Sequence, residues 1–146
     1  MTVSFPRRAY DALVQTIMRL FILGVPVHEY GHMLSLRFMG YKGEIRSTML
    51  NAVWPMDYYE MSWLELRVFY LSGGMFQAMV FFALCLFNVD EENRLANKFI
   101  ALQGLVYGLF EGLCPRELWA TGSIFSMILS AIFMMLVLLN WSKKDS

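Results

Sequence analysis

Two histidines and a glutamate stand together where the first long apolar stretch of the chain nears its end. Residues 28–32 read HEYGH, with His28 and His32 four positions apart and Glu29 beside the first. Residues four apart lie on one face of a helix, so both imidazoles can reach a single zinc ion. The glutamate can then serve as general base towards a water that the metal activates. Ionisable groups are costly inside a membrane segment and usually have a function there.

A zinc hydrolase needs a third protein ligand, which leaves one coordination position for water. The chain has no other histidine, so the ligand must be a carboxylate or a cysteine. Glu111 is the preferred candidate because it lies in an apolar segment, near its C-terminal end, as His28 and His32 do in theirs. The competing ligands are Asp57, Glu60, Glu65, Cys114 and Glu117.

The composition is that of a membrane protein. Of the 146 residues, 58% are hydrophobic and only 16% are charged, whereas soluble domains carry about 25% charged residues. The length fits one polytopic domain over residues 1–146. Net charge is zero and no basic run stands out, so a nucleic-acid partner is not expected. Cys85 and Cys114 both fall in or beside apolar segments, which argues against a disulfide framework.

Four apolar segments position these residues, and each must be helical because lipid cannot satisfy open backbone groups. They cover about Tyr10–Met39, Trp63–Val89, Phe99–Cys114 and Leu118–Trp141. A membrane span needs about 20 residues, so the first segment should tilt or protrude, and the short third one should have an end buried in protein. The sequence therefore predicts an all-α, multi-pass integral membrane protein with about four transmembrane helices. Segments one and three would cross the membrane in the same direction, so the histidines and Glu111 could lie at the same depth in it.

The connection between the first two segments, residues 40–62, is too polar to span and too apolar for a simple loop. Glu44–Trp54 alternates in part, which predicts a short β-hairpin or re-entrant loop at the membrane. Arg19 lies deep in the first segment, and we expect an acid or a polar cavity around it.

The third segment carries two adjacent stripes with a spacing of four. Small residues permit close packing of helices, and the glycine stripe consists of Gly104, Gly108 and Gly112. The polar stripe lies one position earlier and consists of Gln103, Tyr107 and Glu111. We therefore expect this helix to press against a partner helix, with Glu111 turned inward.

These residues resemble the site-2 protease family, the intramembrane zinc metalloproteases, over roughly Val25 to Gly112. The first match is VPVHEYGHMLSLRFMGYKGEI, a zinc helix that exits through a glycine into a hairpin. The second is the loop through Trp54 and Pro55, similar to the family's re-entrant hairpin. The third and fourth are GGMFQAMVFFAL and QGLVYGLFEGL, similar to the family's Gly-Pro-x-x-Asn and Asn-x-x-Pro…Leu-Asp-Gly helices.

The resemblance implies one zinc ion held by His28, His32 and Glu111, with Glu29 as catalytic base. It implies hydrolysis of a peptide bond in or beside a transmembrane segment of a membrane-protein substrate, which an edge strand could hold by β-addition. Gln77 and Gln103 fall on the two family asparagines and could bind substrate or the oxyanion, or could instead join helices. Tyr107 could line the same cavity or pack.

The departures from the family pattern indicate a divergent, minimal member. Glutamate replaces the family's ligand aspartate, and glutamine replaces asparagine at two positions. Gly74 and Val106 occupy the family's two proline positions. Two other hypotheses stay open: an inactive relative that binds membrane helices, and a zinc hydrolase for a lipid-like substrate in the bilayer. The first is disfavoured by the retained Glu29. The lipid hydrolase would need a closed pocket, whereas the protease would need an edge strand. An oligomer is compatible with the sequence.

Overall fold

The computed structural model describes residues 7–46, 52–88, 90–115 and 118–144. The fold is mostly helical, with one small hairpin between the first and second long helices. In chain order the elements are α1 (Arg7–Arg19), a π-helical turn (Leu20–Gly24), α2 (Val25–Met39), β1 (Gly43–Arg46), β2 (Ala52–Pro55), α3 (Trp63–Phe87), α4 (Glu91–Leu113) and α5 (Trp119–Lys144).

The first long helix is continuous through its π-helical turn. Pro26 stands at the start of α2, where it cannot donate a backbone hydrogen bond and its ring crowds the carbonyl four residues earlier. A locally widened turn relieves that conflict. The helix ends at Gly40, whose φ of 82° is left-handed. The Tyr41 N–H bonds the Leu36 carbonyl at 2.9 Å, as in a glycine-terminated helix.

The predicted hairpin between the first two apolar segments is confirmed, with strands Gly43–Arg46 and Ala52–Pro55 paired antiparallel. The residues between the strands, 47–51, lie outside the described part of the chain. Val53 faces inward and packs in a cluster with Leu36, Met61 and Phe69, which holds β2 against α2 and α3.

Close glycine contacts bring the central helices together. A Cβ on Gly31 of α2 would lie 2.7 Å from the Ser72 carbonyl oxygen of α3. On the other side of α3, a Cβ on Gly108 would lie 2.8 Å from the Gly74 Cα. Since real Cβ atoms do not approach that closely, α3 can sit between α2 and α4 only because these positions are glycine.

Three helices are long and apolar enough to cross a membrane: Tyr10–Met39, Trp63–Phe87 and Trp119–Asn140. α4 does not meet those criteria, because its first turns are polar. It begins at Glu91, eight residues before the predicted Phe99, and is packed against α1, α3 and α5. The predicted boundary was therefore wrong, since a helix packed against three other helices need not be apolar throughout.

The partners of Arg19 explain part of that polar start. Its guanidinium donates to the Asn97 side-chain oxygen at 2.9 Å and to the Asn93 side-chain oxygen at 2.5 Å. Of the two expected surroundings, an acid or a polar cavity, the structure gives polar groups, namely two amides on the first two turns of α4. The N-terminal half of the first helix therefore packs beside the beginning of α4.

Candidate metal centre

Three donor atoms from two helices converge inside the protein. The Nε2 atoms of His28 and His32, one turn apart on α2, lie 3.1 Å from each other. Glu111, near the end of α4, brings its Oε2 to 3.1 Å from His28 Nε2 and 3.8 Å from His32 Nε2. All three residues are buried, Glu111 being 7% exposed.

The chemistry of these atoms is compatible with a metal ion held among them. His32 Nδ1 lies 2.7 Å from the Phe69 carbonyl oxygen, which can only accept, so Nδ1 carries a proton. In the neutral ring Nε2 then carries an unprotonated lone pair. It faces the His28 ring and the Glu111 carboxylate. Glu111 Oε2 has no hydrogen-bond partner among the described residues. No lysine or arginine of the described chain pairs with Glu29 or Glu111, and buried carboxylates need a counter-charge.

The spacing fits a small divalent ion. The three distances define a point about 2.0 Å from all three atoms, which is the length of a zinc bond to imidazole nitrogen or carboxylate oxygen. Gly73 of α3 lines the same space: a Cβ there would clash with His32 Nε2 and would lie 2.8 Å from His28 Nε2. A glycine keeps open the place that an ion would need.

Glu29 stands next to this group but is held differently. His28, Glu29 and His32 each offer one donor atom, and these lie within 4.8 Å of one another. One Glu29 oxygen accepts a 2.7 Å hydrogen bond from the backbone N–H of Val53 in β2. The hairpin thus orients the Glu29 carboxylate, whereas the Oε2 of Glu111 has no hydrogen-bond partner among the described residues.

The three predicted substrate-binding residues are buried or half-buried on α3 and α4. Gln77, 2% exposed, donates to the Ile100 carbonyl at 3.1 Å and to the Gln103 side-chain oxygen at 2.7 Å. Its amide donors are therefore used between α3 and α4. The Tyr107 ring stacks on His28, with centroids 5.5 Å apart and planes 28° apart. Tyr107 therefore lies against the candidate ligand His28, and Gln103 is joined to Gln77.

A cavity of about 180 Å³ leads to Glu111 from the ends of α3 and α4. Its walls include Tyr58, Trp63, Arg67, Tyr70 and Trp119. The Arg67 guanidinium donates to the last carbonyls of α4, those of Gly112 at 3.0 Å and Cys114 at 3.2 Å. The cavity has room for several waters and has polar groups to hold them.

The competing ligands have other surroundings where the structure describes them. The Glu65 side chain accepts from the Ser62 N–H at 2.7 Å and from the Tyr41 hydroxyl at 3.2 Å, and it is the third residue of the capping box that Ser62 begins at the start of α3. Asp57 and Glu60 belong to the turn before α3. Cys114 ends α4 and lines the cavity, and Glu117 lies outside the described residues.

Sequence reasoning missed three contributors to the centre. Pro26 has a sequence signal, since a proline two residues before His28 predicts a local change in the helix. Gly73 entered the sequence analysis only as the first residue of the GGMFQAMVFFAL match, although a glycine doublet in an apolar run can mark close approach. The Val53 N–H has no sequence signal, because a backbone donor can be assigned only when the strand is in place.

Comparison with known proteins gives no match: no family model, no curated protein and no solved structure is similar to this chain. The resemblance to site-2 proteases therefore depends on the motifs in the sequence alone.

Proposed function

We propose that this protein is an intramembrane zinc endopeptidase that cleaves transmembrane segments of other membrane proteins. The observation that carries the proposal is the convergence of His28 Nε2, His32 Nε2 and Glu111 Oε2 on one point, with Glu29 beside them. In this proposal α4 is the fourth membrane crossing, which its position between α3, α5 and the first helix supports.

His28, His32 and Glu111 would hold one Zn²⁺, which when bound makes water a nucleophile at neutral pH and polarises the scissile carbonyl. Glu29 takes the proton of the attacking water and returns it to the leaving amine. The hydrogen bond from Val53 keeps one Glu29 oxygen in place, so the other oxygen is available for that proton. Phe69 fixes the orientation of the His32 ring through its carbonyl oxygen.

The hairpin supports a peptide substrate. A transmembrane helix hides its carbonyl groups in hydrogen bonds, so a substrate must unwind before its backbone can be attacked. An unwound segment can pair with a strand edge. The outer edge of β2 lies beside Glu29 and can offer a substrate its carbonyl groups, since the Val53 N–H is bonded to Glu29 and Pro55 has no N–H. A lipid-like substrate would favour a closed pocket over such an edge, which makes the protease the better reading of the site.

The proposal is tested with the full-length protein in detergent and a fluorogenic transmembrane peptide. Wild-type protein is expected to contain about one zinc per chain, and chelation followed by reloading should abolish and restore cleavage. Glu29→Gln should keep its zinc and lose cleavage by a factor of about 100 or more, the usual contribution of a general base.

The control is Glu60→Gln, which changes an exposed carboxylate in the turn before α3. It should leave zinc content and cleavage unchanged. Full cleavage by Glu29→Gln, or by the chelated wild type, would contradict the proposal. Zinc binding without any cleavage in the wild type would instead favour the inactive relative.

A further inference from the structure

A second feature, separate from the metal centre, is a large groove on the outside of the helix bundle. α4 forms its floor with Ala101, Leu102 and Leu105, and α3 and α5 form its walls. Its volume is about 670 Å³, within the range of about 300–1,000 Å³ that is common for ligand sites. The groove is open to the surroundings, since its wall residues Met79 and Phe82 are 62% and 64% exposed.

One end of this groove carries a positive charge. Lys98 is the only charged residue among those that line the groove. Within residues 7–46, 52–88, 90–115 and 118–144 the Lys98 ammonium has no hydrogen bond and no ion pair. An ammonium at the edge of the hydrocarbon needs an anion or water to offset its desolvation.

A smaller cavity of about 150 Å³ continues from the same lysine. It shares Lys98 and Phe133 with the groove and is also lined by Glu91 and Arg94. These three charged residues carry one net positive charge. The groove therefore changes along α4 from a cationic end to an apolar end.

The dimensions match those of a lipid at the membrane boundary. With a rise of 1.5 Å per residue, Lys98 lies about 10 Å along α4 from Glu91, and Leu105 lies about 10 Å further on. The polar headgroup region is about 5–8 Å thick on each side of the hydrocarbon. Lys98 can thus reach the phosphate level while Ala101 to Leu105 lie among acyl chains.

A partner helix fits this surface less well. Transmembrane helices approach one another through small residues, above all glycine, and the glycines of α3 and α4 are used inside the protein. A Cβ on Gly104 would meet the Gln77 side chain, and one on Gly112 would meet Leu71 at 2.8 Å. Phe82 and Phe133, by contrast, give the groove bulky apolar walls that suit an acyl chain.

We propose that the groove between α3, α4 and α5 binds one anionic phospholipid, with the phosphate at Lys98 and an acyl chain along Ala101 to Leu105. The ammonium gains an ion-pair partner, which no described residue provides, and the acyl chain fills the apolar recess. This site does not depend on the metal or on proteolysis.

The test is native mass spectrometry of the full-length protein with added phosphatidylglycerol or phosphatidylcholine of the same acyl chains. Phosphatidylglycerol should bind in a one-to-one complex and at least fivefold more tightly than phosphatidylcholine. Lys98→Gln should lower the affinity for phosphatidylglycerol about fivefold, the effect of one lysine at a membrane surface. Ala78→Phe, which fills the groove, should reduce binding of both lipids.

The matched control is Lys42→Gln, which removes an exposed lysine between α2 and β1 and should leave the affinity unchanged. Equal affinity for the two lipids in the wild type would overturn the proposal. So would an unchanged affinity in Lys98→Gln, or the same loss in Lys42→Gln. Zinc content, measured on each sample, reports separately on the metal centre and should not change.

Discussion

The Glu29 carboxylate on α2 accepts a 2.7 Å hydrogen bond from the backbone N–H of Val53 on β2. The strand register explains why this donor is available. Met56 donates to the Lys42 carbonyl at 2.9 Å, and opposite pairs alternate between bonded and non-bonded along an antiparallel ladder. Val53 and its partner Ile45 therefore form a non-bonded pair, whose N–H groups point away from the ladder.

Val53→Pro should reduce cleavage without removing zinc. Proline deletes the N–H that holds Glu29. It is tolerated at a strand position whose N–H points away from the partner strand, as Pro55 already is on the same strand. A misplaced base costs about tenfold or more in rate. Val53→Ala is the control, because it keeps the N–H and loses only side-chain packing. Equal activity in the two variants would show that the hydrogen bond has no part in orienting Glu29.

Gly73→Ala should abolish zinc binding. The new methyl group would occupy the space between the two histidine rings, since its carbon would lie 2.8 Å from His28 Nε2. Gly122→Ala produces a similar conflict elsewhere, at 2.5 Å from the Phe110 Cβ, and serves as the control. Both variants should lose thermal stability, and only Gly73→Ala should lose metal in elemental analysis. A full zinc complement in Gly73→Ala would place the ion elsewhere.

Gln77→Leu should act on stability rather than on substrate affinity. The Gln77 amide donates to Ile100 and Gln103 across the interface between α3 and α4, and such bonds contribute about 0.6 kcal/mol, and at most about 1.7 kcal/mol, in membrane proteins. We expect a loss of about 1 kcal/mol in unfolding free energy and an unchanged KM. Met79→Leu, on the exposed face of α3, is the control. A raised KM at unchanged stability would instead support the substrate contact that the sequence suggests.

The placement of the histidines could be predicted from the sequence because it is local. A spacing of four on a helix fixes which side chains share a face, whatever the rest of the fold does. Glu111 could be chosen among several acids by its depth in an apolar segment. The hairpin could be predicted because residues 40–62 are too polar to span a membrane and too apolar for a simple loop. Its strands begin and end within one residue of the predicted limits, Glu44 and Trp54.

The remaining features depend on contacts between distant segments. The start of α4 was misplaced because Glu91–Lys98 looks like a loop until Arg19 is seen to bind Asn93 and Asn97. The tertiary contact satisfies polar groups that would otherwise keep this stretch in water. The roles of Gly73 and of the Val53 N–H are likewise defined only when α2, α3 and β2 are packed together.

The most direct test of the metal centre is zinc X-ray absorption spectroscopy of the purified protein, wild type beside Glu111→Cys, with Glu60→Cys as the control. The wild type should show nitrogen and oxygen neighbours at about 2.0–2.2 Å and no sulfur. Glu111→Cys should introduce one sulfur at about 2.3 Å, and Glu60→Cys should not. A zinc–sulfur distance already present in the wild type would contradict the assignment of Glu111 as the third ligand. So would a Glu111→Cys variant that still binds zinc but shows no zinc–sulfur distance.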